Sequence, residues 1–430
     1  KQRVRHNFWM EEEEGPYAYR VVNHFRLLEQ EQQKIQARRE FLPQPLTTIW
    51  DHSTKQFVQS ILSFDLDGTL SLTKNKLVSR QSLPITEQIK ANPEYQTKLQ
   101  NASLACGRLL LKWEPKKDAL TKHQPTDVVL RTFYSSGSTI QVTPLSGGFI
   151  IVATARHLFQ FYEQTHQLKH LYYTRNIHSN PNDLLAKDCF PAEILVEGCI
   201  TPAGKDLYYG VSPEEARDGG KFWKFENDIA FIKVKIEEPS SDWSVFFYPS
   251  TFKSLPANTE LMMLAYASPI RKTGAAAEYS PIRGYQALIN GVSEDVMTPD
   301  QCLDVIEELR SLYVDWDRKH ISYGVSAPYH PEASTAMLPH TCSGIGGSSG
   351  AGVLHMKNLF SGEPCLLGIN LGSWSINNEN TMLSVNHPAF VAQYYAYVYE
   401  ALPDKDKLQV QDYIEAHKDV IKRFCRTKSL

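Results

Sequence analysis

From about Leu104 onward the chain breaks into short runs rich in Val, Ile, Phe, Tyr and Thr, each closed by Gly, Ser, Pro or Asn. The clearest are Arg108–Trp113, Val128–Tyr134, Thr139–Pro144, Phe149–Ala153, Ile229–Ile236, Val245–Tyr248, Leu261–Tyr266 and Leu366–Leu371. Runs of this length and spacing specify many short antiparallel strands, as in a barrel or a sandwich. Glu237–Trp243 reads as a linker between two such halves. Thr298–Lys319 interrupts the second half with a helical pattern that opens at Thr-Pro-Asp.

The flanks are of another kind. After the acidic run Glu11–Glu14, Tyr17–Phe41 places Val21, Val22, Phe25, Leu28 and Ile35 at near-helical spacing, and Pro43 and Pro45 end it. The apolar face of that helix packs on its own domain or grips a partner. A short helix is expected near Ile85–Lys90, and helical periodicity returns in Phe390–Ala401 and Leu408–Phe424.

Composition removes several classes. At 430 residues the chain exceeds one ordinary domain, and 42% hydrophobic with 22% charged residues excludes wholesale disorder. A formal net charge of -3 gives no general pull toward nucleic acid. No apolar run approaches the roughly 18 residues of a membrane helix; Leu261–Ala267 is typical. The chain starts at Lys1, so an upstream signal peptide stays open. Seven cysteines, an odd count without a C-x-x-C pair, suggest neither zinc nor redox chemistry. Cys189 and Cys199 could pair in an exported chain. The reading adopted is isolated thiols in a chain independent of disulfides, with a lean toward an intracellular setting.

Three segments carry chemistry. Ser146–His157 is an apolar strand running into a small-residue turn that delivers a histidine. Glu226–Ile236 opens another apolar strand at Asp228. Ser343–Leu354 holds Ser349 in a loop unusually rich in glycine. Together they supply what acyl transfer needs. A serine hydroxyl is a weak nucleophile until a neutral imidazole takes its proton, and a carboxylate must hold that imidazole in one tautomer. The developing oxyanion needs converging backbone N–H donors, here those of Gly347 and Ser349, which flanking glycines permit.

The segments Thr154-Ala-Arg-His157, Asp228-Ile-Ala and Gly347-Ser-Ser349-Gly-Ala-Gly352 resemble the three signatures of the trypsin-like serine proteases, in that family's order. The resemblance covers residues 104–380. It implies His157 as general base, Asp228 as its orienting carboxylate and Ser349 as nucleophile of a protein or peptide substrate, with no metal or organic cofactor. It implies two six-stranded antiparallel β-barrels with these residues in the cleft between them. The expected division is a helical or irregular extension (1–103), a first barrel (104–240), a second barrel (241–385) with a helical insertion near 298–320, and C-terminal helices (386–430). Ser343, six residues before the nucleophile, stands where the family has the base of the S1 pocket, which implies an uncharged P1 residue. Asn370, Leu371 and Gly372 would pair with substrate backbone, with Gly372-Ser-Trp374 as the other register. Three departures stand out: Ser348 replaces the usual Asp before the nucleophile, no Cys follows His157, and Arg156 replaces a small residue. The missing Cys places the match nearer the disulfide-poor bacterial and intracellular branches.

Rival readings are weaker. The same fold could serve as an inactive binding module, a reading that Ser348 keeps open. Phe64-Asp-Leu-Asp-Gly-Thr-Leu70 matches the first motif of haloacid-dehalogenase-type phosphatases, with Asp65 and Asp67 as nucleophile and acid, but that chemistry needs a buried parallel strand and downstream βα alternation. Gly346-Gly-Ser348-Ser-Gly350 fits a nucleophile elbow, which would need a later acid and base such as Asp412 and His417. His166 and His170 have i, i+4 spacing without a third ligand. His330, His340 and His355 take no role.

Overall fold

The computed structural model describes residues 50–51, 56–59, 61–64, 81–82, 84–116, 132–160, 166–175, 189–197, 228–237, 240–252, 254–266, 319–327, 337–342, 347–374 and 379–424. The Tyr17–Phe41 helix, the acidic run and the insertion over 298–318 lie outside them.

Among the described residues the first elements are four short strands, β1 (Trp50–Asp51), β2 (Gln56–Gln59), β3 (Ile61–Ser63) and β4 (Gln81–Ser82). Two helices follow, α1 (Pro84–Ala91) and α2 (Pro93–Ser103). Local chemistry starts α2: Pro93 occupies its first turn, and the Asn92 side chain accepts from the amides of Glu94 and Tyr95.

Next come β5 (Cys106–Pro115), β6 (Phe133–Gln141), β7 (Phe149–Thr154), the one-turn helix α3 (His157–Gln160), β8 (His166–Thr174), β9 (Cys189–Glu197) and β10 (Ala230–Lys235). They close into a barrel in the order β10-β7-β6-β5-β8-β9. Leu109, Leu111, Trp113, Ile140, Val152, Phe231 and Ile232 are fully buried there, and burial of each contributes roughly 1.5–3 kcal/mol.

The second unit comprises β11 (Tyr248–Pro249), β12 (Glu260–Tyr266), β13 (Lys319–Val325), β14 (Met337–His340), β15 (Gly352–His355), the helix α4 (Met356–Ser361), β16 (Cys365–Trp374) and β17 (Glu379–Ser384). Its strands run β14-β17-β16-β15-β12-β13, and β3 is added beyond β13. The sheet curls until its ends meet at a bridge between Ser326 and His340, flanked by Ala327 N–H to Pro339 O and Thr341 N–H to Val325 O, both 2.9 Å.

Three findings refine the sequence reading. The last helix of the extension, α2, packs on the second unit: Tyr95 stacks on Phe360 at 4.0 Å, and Lys98 Nζ donates to Phe360 O at 2.6 Å. The expected linker between the halves ends on a packed residue, Trp243. Trp243 is buried beneath the Arg175 guanidinium (3.9 Å), and its carbonyl accepts from Gln141 Nε2 at 2.8 Å. The described end of the run at 128–134 joins the run at 139–144 in one strand, β6, through Ser135-Ser-Gly-Ser138. These residues suggested a turn, yet Ser135 and Ser136 accept from Trp113 and Arg108 inside the protein.

The C-terminal helices are α5 (Pro388–Gln393), continued by a π turn and a 3-10 turn to Ala401, then α6 (Asp404–Gln409), α7 (Gln411–Ala416) and α8 (Lys418–Phe424). Phe390 of α5 packs edge-on against Phe231 of β10 at 5.6 Å, so the tail seals the first barrel.

Candidate active site

Strand register brings His157 and Asp228 together. In the β7–β10 ladder Thr154 stands opposite Ala230. Asp228, two residues before Ala230, therefore faces the turn that follows Thr154 and leads into His157. The carboxylate, 2% exposed, receives two hydrogen bonds: His157 N–H to Oδ1 at 2.8 Å and His157 Nδ1 to Oδ2 at 2.6 Å. An ionised carboxylate only accepts, so Nδ1 carries the proton and Nε2 presents a lone pair. That is the tautomer a general base needs.

The serine loop is docked against the same region from the second barrel. Ser138 of β6 donates its N–H to Ser349 O at 2.8 Å and its Oγ to Gly347 O at 2.7 Å, while Thr154 Oγ1 donates to Ser138 O at 2.8 Å. Gly347 and Gly350 adopt φ of 90° and 88°, a region that side chains disfavour. A Cβ on Gly350 would also overlap Ser138 O and Thr154 Oγ1 and crowd Ala155 N at 3.1 Å. Ser349 is buried, and its Oγ donates to Leu371 O at 3.4 Å.

The second barrel holds the loop through Asn370. Gly350 N–H donates to Asn370 O (2.7 Å) and Asn370 N–H to Ala351 O (2.8 Å). This corrects one expectation: the Asn370 backbone is engaged by the loop, so substrate pairing is left to the chain beyond it. A bulge between Asn370 and Gly372, with Gly372 at φ 132°, re-aims that chain. The amides of Gly350 and Ala351 are both used internally, so neither serves as an oxyanion donor. Ser343 lies outside the described residues.

The Asn370 amide also spans two partners. Its Nδ2 donates to Ser348 O at 2.9 Å, and its Oδ1 faces His340 Nε2 at 3.1 Å. Burial pushes the His340 pKa down to about 4, against which the Asn370 hydrogen bond acts weakly. The unfolded chain binds that proton below the ordinary histidine value, whereas the folded chain does not until about pH 4. Folding stability should therefore fall as pH drops from about 6.5 to 4, by on the order of 3 kcal/mol from this group. Denaturant titrations of wild type and His340→Gln across that range should show a shallower acid loss in the variant.

Sequence reasoning missed Ser138, the Asn370 side chain and His340 as supports of the loop. The available signal was polar residues standing at buried strand positions, which need internal partners.

The rival assemblies fare differently. Asp65 and Asp67 lie outside the described residues, but the strand leading toward them, β3, is an antiparallel addition to β13. The phosphatase chemistry needs a buried parallel strand there. Asp412 is exposed on α7, and His417 bonds through Nδ1 to Tyr413 O and packs on the Tyr413 ring at 4.5 Å. His166 and His170 lie on a strand, where four residues separate them by about 13 Å, too far to share an ion. No cluster of three potential metal ligands occurs among the described residues. Cys106, Cys342 and Cys365 are free thiols; Cys199 and His330 fall outside the described residues. No helix among the described residues is long and apolar enough to cross a membrane.

Neither a scan of protein-family models nor a search of curated proteins finds a match. Among solved structures the chain is similar to Deg5, at 11% identity over 71% of this chain and 92% of that one, with a TM-score of 0.34. It is similar to a thermostable serine protease, AL20, from an extremophilic microorganism, at 12% identity, 66% and 92% coverage and a TM-score of 0.35. It is also similar to Rv3671c from M. tuberculosis H37Rv in an inactive serine-to-alanine form, at 9% identity, 71% and 92% coverage and a TM-score of 0.30. The fold rests on its own topology. The chain is mainly β, with a closed six-stranded antiparallel barrel that supplies His157 and Asp228, a curled second sheet that supplies Ser349, and C-terminal helices.

Proposed function

We propose that the protein is a serine endopeptidase. The observation that carries this reading is the two-point contact of Asp228 with His157, made beside a glycine-strained serine loop that Ser138 and Thr154 hold in place. In this mechanism Ser349 Oγ attacks the scissile carbonyl carbon while its proton passes to His157 Nε2. The oxyanion is met by the N–H groups of Gly347 and Ser349. Collapse expels the amine, which takes the proton from His157 and leaves an acyl-enzyme ester. A water molecule, deprotonated by His157, then attacks the ester and Ser349 departs. The chemistry needs no metal. The substrate backbone would lie along Leu371–Gly372 as an added strand, with an uncharged P1 side chain over Ser343.

A fluorophosphonate probe tests the reading directly. Ser349 Oγ forms the P–O bond, fluoride leaves with the P–F electron pair, and the hydroxyl proton goes to His157. Wild type should be labelled and Ser349→Ala should not. A folded wild type that takes no label would point instead to the fold serving as a binding module. Labelling lost in Ser348→Ala but kept in Ser349→Ala would hand the nucleophile to Ser348.

A further inference from the structure

The residue before the proposed nucleophile is a serine, so no carboxylate anchors the loop at that position. The backbone there is anchored nonetheless. Ser348 O accepts from Asn370 Nδ2 at 2.9 Å and from Ala351 N–H at 3.1 Å. The peptide between Ser348 and Ser349 is trans, because no cis peptide occurs among the described residues. In a trans peptide the carbonyl and the following N–H point in opposite directions within one plane. Two donors on Ser348 O therefore aim the Ser349 N–H the other way, and that N–H is one of the two oxyanion donors proposed above.

The orientation of the Asn370 amide follows from its neighbours. Ser348 O can only accept, so Nδ2 must face it, and Oδ1 is left toward His340. His340 must then present an N–H at Nε2, which makes its Nδ1 the bare ring nitrogen. That atom is buried without a hydrogen-bond partner among the described residues. Such an orphan costs stability, and the arrangement keeps it while holding the donor on Asn370. Asn370 is 1% exposed and His340 fully buried, so water does not compete for either contact.

We propose that Asn370, oriented by His340, is a positioning residue for the oxyanion site: it sets the direction of the Ser349 N–H through the carbonyl of Ser348. The proposal rests on the reading of Ser349 as nucleophile and adds a support that acts from beneath the loop, without touching substrate.

Fluorophosphonate labelling rates report it, because the phosphoryl oxygen occupies the oxyanion site. Asn370→Asp keeps shape and an acceptor toward His340 but turns an acceptor toward Ser348 O. It should label about 10–100-fold more slowly, below the roughly 10²–10³-fold of outright donor loss. Peptide hydrolysis should fall through kcat with KM nearly unchanged. His340→Leu removes the orienting N–H and should slow labelling about tenfold; His340→Gln, which returns an N–H near Nε2, should recover most of that loss. Thermal unfolding of each variant shows whether the fold is kept, and the His340 pair decides the matter if Asn370→Asp does not fold. Wild-type labelling rates in Asn370→Asp, equal rates in the two His340 variants, or a change confined to KM would each overturn the proposal. Failure of wild type itself to label is a separate result that removes the protease reading and this inference with it.

Discussion

His157→Ala is expected to lower kcat by about 10⁶-fold, some 8 kcal/mol of transition-state stabilisation. Without the imidazole, the Ser349 proton has no acceptor in the attack and the leaving amine no donor in the collapse. KM should barely move, because His157 meets the reacting atoms rather than the remote parts of the substrate. The fold should survive. The carboxylate of Asp228 keeps the main-chain N–H of residue 157 as a partner at 2.8 Å, and the deleted ring is already 13% exposed. The double variant His157→Ala/Ser349→Ala should be no slower than either single one, since the two groups act in one proton-coupled step. Steady-state hydrolysis of a peptide library hit, with thermal unfolding alongside, measures all three. A single variant retaining more than about a tenth of wild-type kcat would take His157 out of the proton transfer.

Much of the candidate site is legible in the sequence, for a physical reason. The residues proposed to do chemistry sit at strand ends, and strand ends carry the strongest local signals: an apolar run into Thr154-Ala, an Asp ahead of Ile229-Ala, glycines around Ser349. The scaffolding was less legible. Ser135-Ser-Gly-Ser138 has the composition of a turn, and only long-range partners such as Trp113, Arg108 and Gly347 make it a strand. β-Propensity is set by such context more than by the backbone. The helical pattern of the sequence runs to Lys319, but that residue opens β13, its ammonium buried and donating to Ser103 O at 2.6 Å. Nothing local announces a lysine satisfied by a carbonyl more than two hundred positions away.

The same distinction separates Asn370 from Leu371. The sequence reading assigns Asn370, Leu371 and Gly372 of strand 365–374 alike to substrate pairing. The bulge at Leu371 divides it, so that the backbone up to Asn370 serves the serine loop and the chain beyond is re-aimed. Alternation along a sequence cannot place a bulge, because the extra residue is decided by what the partner strand must reach.

Asp228→Asn should cost about 10⁴-fold in kcat, near 5 kcal/mol, while leaving the fold intact. The wild-type carboxylate meets two donors from one residue, the His157 main-chain N–H at Oδ1 and the ring Nδ1 at Oδ2. An amide of the same shape offers one acceptor and one donor. The main-chain N–H cannot change its role, so the amide oxygen must stay opposite it, and the NH₂ then faces Nδ1. A ring nitrogen confronted by a donor has to accept, which moves the imidazole proton to Nε2 and leaves Ser349 facing an N–H where it needs a lone pair. The alternative flip sets two donors against each other at the main chain and is excluded by the cost of an unsatisfied buried amide. Asp228→Ala, by contrast, strips partners from both His157 donors and should also lower thermal stability. Rates and unfolding curves for the two variants separate orientation from anchoring: a folded Asp228→Asn within tenfold of wild-type kcat would mean that the carboxylate holds the loop and does not set the tautomer.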